Sequence, residues 1–389
     1  MSSAAHRSST ILWRLAAATS LALLVAACSS SGTADPAPSS TTVDTSTTVV
    51  ETPAPSPSTH PLLAPSPTTH LGLSWFSPAE PAAARSVDER WAEAQAASTV
   101  GRVLVDWVEL EPQRGDHRAD LLDEALGELT DAGLAPMVTI AAVDVSGTPF
   151  PEWLGGFDPR DAAEAYVEMI AAMLPTLRAH GVWLLAIANE PPLADGELDV
   201  DDFASFVERV EAGAQRLAPD LAVTFTFAGG DPFLPEPAID RMIETVDAFS
   251  VNHYCLGGDL RRLPLEEATA QIDRLVERAG DLPVVFQELG CPAGEANGSS
   301  DADQLAWFEV AFEHLDSIER VRAAFVFEFL DWSPAVFELD YGSTLEGLTE
   351  EVGPDFVERF ETWLLTAGLV RSDGSARPAF ELFLEQAGA

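Results

Sequence analysis

Two glutamates stand at the ends of short apolar runs. Residues 183–188 lead into Asn189-Glu190-Pro191-Pro192, and residues 283–287 lead into Glu288-Leu289-Gly290. Two facing carboxylates can break a glycosidic bond. One donates a proton to the leaving oxygen, and the other attacks or stabilises the cationic carbon. The chain holds 63 acidic residues, so one such coincidence is cheap; two, one of them flanked by Asn and Pro, are not. Other chemistries find less support. The 3 cysteines and 7 histidines nowhere adopt zinc-ligand spacing and no His-Glu-x-x-His occurs, so neither a metal nor a cofactor is expected. The 21 basic residues are all arginine and the formal net charge is −42, which argues against nucleic acid or an anionic membrane surface as partner.

The glutamates converge only if the chain places both strands in one sheet. From residue 71 onward, β-rich runs at residues 71–76, 101–106, 136–142, 182–188, 221–227, 248–253, 282–287 and 323–328 alternate with amphipathic stretches. Residues 161–180 show the helical half of the pattern: Ala162, Ala165, Tyr166, Met169, Ile170 and Met173 fall on one stripe. Similar segments occupy 201–217, 265–279 and 301–315. Eight β/α units predict an α/β fold of the (β/α)8 TIM-barrel type over residues 71–389. A doubly wound sheet is the rival, but no Gly-x-Gly-x-x-Gly follows the first strand. In such a barrel strands 4 and 7 lie across the bore, with their C-terminal ends on the face that carries the chemistry.

The N-terminus reads differently. His6, Arg7 and Arg14 precede an apolar run at residues 15–27, too short for a membrane span, which needs about 20 residues. Leu24-Val25-Ala26-Ala27-Cys28 resembles a bacterial lipobox, which makes residues 1–27 a lipoprotein signal peptide and Cys28 the acylated residue. Residues 28–70 are dominated by Ser, Thr, Pro and Ala and repeat themselves at 54–60 and 64–70, so a disordered tether is expected there. The implied location is the bacterial cell envelope, on the outer side of the cytoplasmic membrane, with the lipid as the only membrane contact.

The residues also carry a family resemblance. Asn189-Glu190-Pro191 on strand 4 with Glu288 on strand 7 resembles clan A of the retaining glycoside hydrolases, a group of TIM barrels. Arg102 to Trp107 with Glu111, Pro112 and Gly115 is similar to the clan's strand 2 segment. Asn252-His253-Tyr254 resembles the segment after strand 6, and Gly368-Leu369, Asp373-Gly374 and Arg377-Pro378-Ala379 resemble the closing segment. The resemblance implies Glu190 as acid/base, Glu288 as nucleophile and Asn189 on the sugar 2-hydroxyl. It further implies that Arg102 and Tyr254 keep Glu288 ionised. The activity implied is hydrolysis of a β-linked oligo- or polysaccharide by double displacement.

Strand 3 departs from the clan: Ala142 stands where several families bear a sugar-binding histidine. Trp332 is a candidate stacking platform for a sugar face, with Trp75 and Trp107 as weaker ones, and His253 is read as a wall residue. Cys255 and Cys291 follow neighbouring strands and are either a disulfide or two free buried thiols. A monomer is expected. The competing readings are a catalytically inactive carbohydrate-binding barrel and a two-lobed solute-binding lipoprotein.

Overall fold

The computed structural model describes residues 60–74, 83–144, 150–193, 198–339, 341, 349 and 352–388. The lipobox with Cys28, most of the tether and Trp75 therefore lie outside the described residues.

Eight parallel strands form one sheet: β1 (His70–Leu73), β2 (Val100–Asp106), β3 (Ala135–Ala141), β4 (Leu184–Asn189), β5 (Ala222–Phe227), β6 (Phe249–Tyr254), β7 (Val284–Gly290) and β8 (Val321–Val326). Their order, β1-β8-β7-β6-β5-β4-β3-β2, runs round a barrel whose ends are β1 and β2. Gly72 lets those two edges approach, because a Cβ there would lie 2.6 Å from the Val100 carbonyl oxygen and 2.9 Å from the Phe325 ring. The helices α1 (Ala84–Ala97), α2 (Trp107–Leu110), α3 (Ala119–Asp131), α4 (Pro159–Ala179), α5 (Val200–Leu217), α6 (Pro237–Thr245), α7 (Leu265–Arg278), α8 (Asp301–Asp316), α9 (Pro354–Leu364) and α10 (Pro378–Ala387) fill the connections. This is the TIM-barrel architecture. Among the described residues there is one barrel and no second lobe, which speaks against the solute-binding reading.

Side chains alternate along each strand, as the pleat requires. On β7, Val284 and Phe286 face the helices while Val285 faces the bore. The stripe expected on α4 is buried, and Asp158 caps that helix by accepting from the Arg160 and Asp161 N–H groups at 3.0 Å each. Such a cap stabilises a helix by about 1 kcal/mol.

The end of the expected tether needs correction. His70 already belongs to β1, and Pro61–Leu63 forms a 3-10 turn. Leu63 is buried among Val100, Met137, Trp183 and Val285, the apolar layer at the strand starts, and its carbonyl accepts from Arg322 Nε at 3.2 Å. The barrel domain therefore reaches back at least to residue 60, and the Pro61–Leu63 turn plugs the pole opposite the strand C-termini.

Candidate active site

Strict alternation would turn Asn189 and Glu288 away from the bore, because Ala186 and Gln287 already face inward. Two register shifts prevent this. β4 advances from Ala186 to Asn189 while β5 advances only from Thr224 to Thr226, and β7 advances from Phe286 to Glu288 while β6 advances from Val251 to Asn252. One extra residue on each strand is a β-bulge, a device that re-aims a side chain. Ile187 and Ala188 consequently both pack on the helix side, and Asn189 and Glu288 come round to the bore.

Glu288 is held from two sides. Arg102 Nη1, on β2, donates to its Oε1 at 2.9 Å, within an ion pair whose side chains are 0% and 8% exposed. The Tyr254 hydroxyl, at the end of β6, donates to Oε2. Burial and the nearby Glu288 and Glu190 charges push the Tyr254 phenol well above its ordinary range, so it remains a donor. Arg102 also donates to Ser74 Oγ at 3.3 Å, which ties the pair to the end of β1.

Glu190 has the opposite environment. Burial, and after it repulsion from Glu288, raise its carboxyl well above the ordinary range; a hydrogen bond from Asn252 opposes this, and Asp231 and Asp144 add to the rise. Its backbone sits in the left-handed region at φ 45°, pinned by a 2.8 Å bond from its N–H to the Thr226 carbonyl. A non-glycine residue there is strained, and such positions cluster at sites of function. The two glutamates thus form a pair whose surroundings differ in sign: one pushed toward its neutral form, the other on a guanidinium.

Tyr254 packs edge-on against Trp363 at 4.8 Å and against Phe327 at 5.6 Å. Cys255, next in the chain, is joined to Cys291 by a disulfide with Cα atoms 5.1 Å apart, linking the ends of β6 and β7 beside the site. His253 faces the other way: its Nε2 meets the Ala268 carbonyl at 3.2 Å, and burial lowers it to about 4, leaving a neutral wall residue. Among the described residues no group of three His, Cys, Asp or Glu side chains is arranged to hold a metal ion.

The aromatic candidates fare unequally. Trp107 is a correction: it opens α2 and is fully buried, its Nε1 donating to Glu111 Oε2 at 2.9 Å and its ring edge-on to Tyr166 at 5.0 Å. No sugar can stack on a ring wholly inside the core. Trp332 is half-buried beyond β8, its ring 5.7 Å from Tyr341 in an aromatic cluster that continues to Trp363 and Tyr254.

Four residues not assigned from the sequence belong to the site. Asp144, beyond β3, accepts from Asn189 Nδ2 at 2.8 Å. Gln287 donates to Asn189 Oδ1 at 2.7 Å, and Asn252 donates to the same oxygen at 3.3 Å. Trp363 was within reach, since Phe356, Phe360 and Trp363 follow helical spacing on α9. Asp144 and Gln287 carry no such signal.

Comparison with known proteins points to one architecture. No protein-family model matches the sequence, and neither does any curated protein. Among solved structures, a variant of GH5_18 from Bifidobacterium longum subsp. longum, in complex with Manβ1-4GlcNAc, is similar with a TM-score of 0.63 at 16% identity, over 82% of this chain and 78% of that one. A family 39 glycoside hydrolase from Bacteroides cellulosilyticus WH2 gives a TM-score of 0.56 at 16% identity, over 82% of this chain and 64% of that one. The exo-β-1,4-mannosidase Op5Man5 from Opitutaceae bacterium strain TAV5 gives 0.58 at 17% identity, over 82% and 59%. At these identities the likeness is one of fold.

Proposed function

We propose that this chain is a retaining β-glycosidase that works outside the cell from a lipid anchor at Cys28. The observation that carries the reading is the unlike treatment of two converging glutamates: Glu288 is paired with Arg102 and Tyr254, while Glu190 is buried and held toward its neutral form. Pairs of titratable groups whose surroundings push them apart mark acid and base assignments.

Glu190 would protonate the leaving oxygen while Glu288 attacks the anomeric carbon from the opposite face to form a glycosyl ester. Departure of the aglycone leaves Glu190 as a carboxylate, which then takes a proton from water as that water releases the sugar. Arg102 and Tyr254 keep both Glu288 oxygens aligned for attack, and Asn189 lies beside the sugar hydroxyl next to the reacting carbon. The half-buried Trp332 is proposed as a platform at the rim. The fold is shared with proteins named as glycoside hydrolases, one in complex with Manβ1-4GlcNAc and one named an exo-β-1,4-mannosidase, which makes β-mannosides the first class to test.

The test is hydrolysis of a panel of aryl β-glycosides, mannosides and glucosides included, with the first-formed anomer read by proton NMR. The β-anomer is expected to appear first. An α-anomer would exclude double displacement, and no cleavage of any β-glycoside or β-glycan would leave the inactive-barrel reading in its place.

A further inference from the structure

Asn189 immediately precedes Glu190, and most of its amide is already engaged inside the protein. Its Nδ2 donates to Asp144 at 2.8 Å, while its Oδ1 accepts from Gln287 Nε2 at 2.7 Å and from Asn252 Nδ2 at 3.3 Å. Gln287 Oε1 in turn accepts from Thr226 Oγ1 at 2.6 Å and Thr139 Oγ1 at 2.9 Å, and Thr226 shares a proton with Ser250 Oγ at 2.9 Å. The chain crosses the bore from β3 to β7. Asp144 and Asn189 are 6% and 5% exposed, Asn252 is 1% exposed, and the other four residues not at all.

By shape alone this chain could run in either direction, because an amide oxygen and nitrogen are nearly the same size. Asp144 breaks the tie. A carboxylate only accepts, so the Asn189 NH2 must face it. The Asn189 oxygen must then face Gln287, the Gln287 NH2 must face Asn189, and the Gln287 oxygen must take the threonine protons. Every later member has its polarity dictated by the first.

We propose that Asp144 is a positioning residue that sets the direction of this buried chain and thereby holds Asn189 as a hydrogen-bond donor toward the sugar beside Glu190. The inference rests on the glycosidase reading for its substrate half only. With both oxygen lone pairs filled and one N–H on Asp144, Asn189 has a single N–H left to offer. It can donate to the neighbouring sugar hydroxyl and cannot accept from it. That hydrogen bond is of the kind that strengthens in the transition state.

Isosteric exchanges test the direction directly, in the full-length protein at pH 8. Asp144→Asn removes the dictating carboxylate and lets the chain run either way. Gln287→Glu places a second carboxylate at the far side of Asn189, so two acceptors compete for one NH2. The double variant Asp144→Asn/Gln287→Glu lets the chain run reversed once Asn252 turns its amide so that its oxygen accepts from the Asn189 NH2, and Asn189 then presents an oxygen where it had presented an N–H.

Gln287→Glu should melt several degrees below the parent, and the double variant should melt above Gln287→Glu. The ratio of kcat/KM on an aryl β-glycoside to that on its 2-deoxy counterpart should fall about tenfold in Asp144→Asn. It should stay low in the double variant although the fold is regained, a split that a merely structural role would not produce. A double variant no more stable than Gln287→Glu, or an Asp144→Asn ratio equal to the parent's, overturns the proposal. If the parent cleaves no glycoside the glycosidase reading fails on its own, and the melting cycle alone then decides whether Asp144 directs the chain.

Discussion

Replacing Arg102 by Met removes the one cation that, among the described residues, is paired with Glu288, and leaves a shape that fits the bore. The Arg102 side chain is wholly buried and that of Glu288 8% exposed, at 2.9 Å, so water cannot take over the lost contact. Breaking a buried pair from one side costs about 3–5 kcal/mol, because the remaining charge stays buried. In a domain of this size that corresponds to a fall of about 6–10 °C in melting temperature. The chemistry should suffer separately. Tyr254 alone would hold the carboxylate, which could then swing out of line, and misplacement of an attacking group costs about 10²-fold in rate. Thermal melting and kcat/KM on an aryl β-glycoside read the two effects. Arg102→Met/Glu288→Gln, with no charge left in the pair, should regain most of the stability and none of the activity. Arg102→Met melting within about 2 °C of the parent, with turnover reduced less than about twofold, would refute the argument.

Removing the disulfide with Cys255→Ala/Cys291→Ala opens a loop with a sequence separation of 36. The chain-entropy relation gives about 4 kcal/mol, or a fall of roughly 8 °C in melting temperature, and an unchanged midpoint would contradict it. Glu211 supplies a pH test: burial, and then Asp247, raise it from 4.5 to about 7 against the pull of Arg216. Since the folded value lies above the unfolded one, its contribution to stability is complete below pH 4.5 and is lost as pH rises through 7. Melting of Glu211→Gln should therefore match the parent at low pH and exceed it by a few degrees above neutrality; a constant difference would exclude the linkage. For Glu190 the acid form persists above the ordinary carboxylate range, so kcat should fall as pH rises through its raised value. That limb should vanish in Glu190→Ala on a substrate with an activated leaving group, and a limb that remains belongs to another group.

The barrel was legible because buried parallel strands are short apolar runs and their helices carry apolar stripes; all eight strands lie where those runs stand, within a few residues. The site was legible in part. Glu190 and Glu288 announce themselves by following such runs, yet Glu288 lies inside β7 (Val284–Gly290) and reaches the bore through a bulge that period-two reasoning would have denied. Leu63 was hidden in a Ser/Thr/Pro-rich stretch, where two leucines make no pattern, although a single buried side chain suffices to plug the barrel. Trp107 looked like a rim residue because it follows β2 directly, but the backbone turns there into α2 and carries the ring into the core. Asp144 and Gln287 act through contacts across the bore with residues far off in sequence, and no local pattern encodes such a pairing.

The central claim is that Glu288 attacks and Glu190 handles the proton, and azide rescue tests it most directly. Glu190→Ala should still form the glycosyl-enzyme from a dinitrophenyl β-glycoside, whose leaving group needs little protonation, and should then stall for want of a base. Added azide should restore turnover and give the β-glycosyl azide, with configuration retained. Glu288→Ala should lose several orders of magnitude on every substrate, and any azide product should carry the α configuration, since azide would replace the missing nucleophile. An α-azide from Glu190→Ala, or near-normal turnover by Glu288→Ala without azide, would contradict the assignment of the two glutamates.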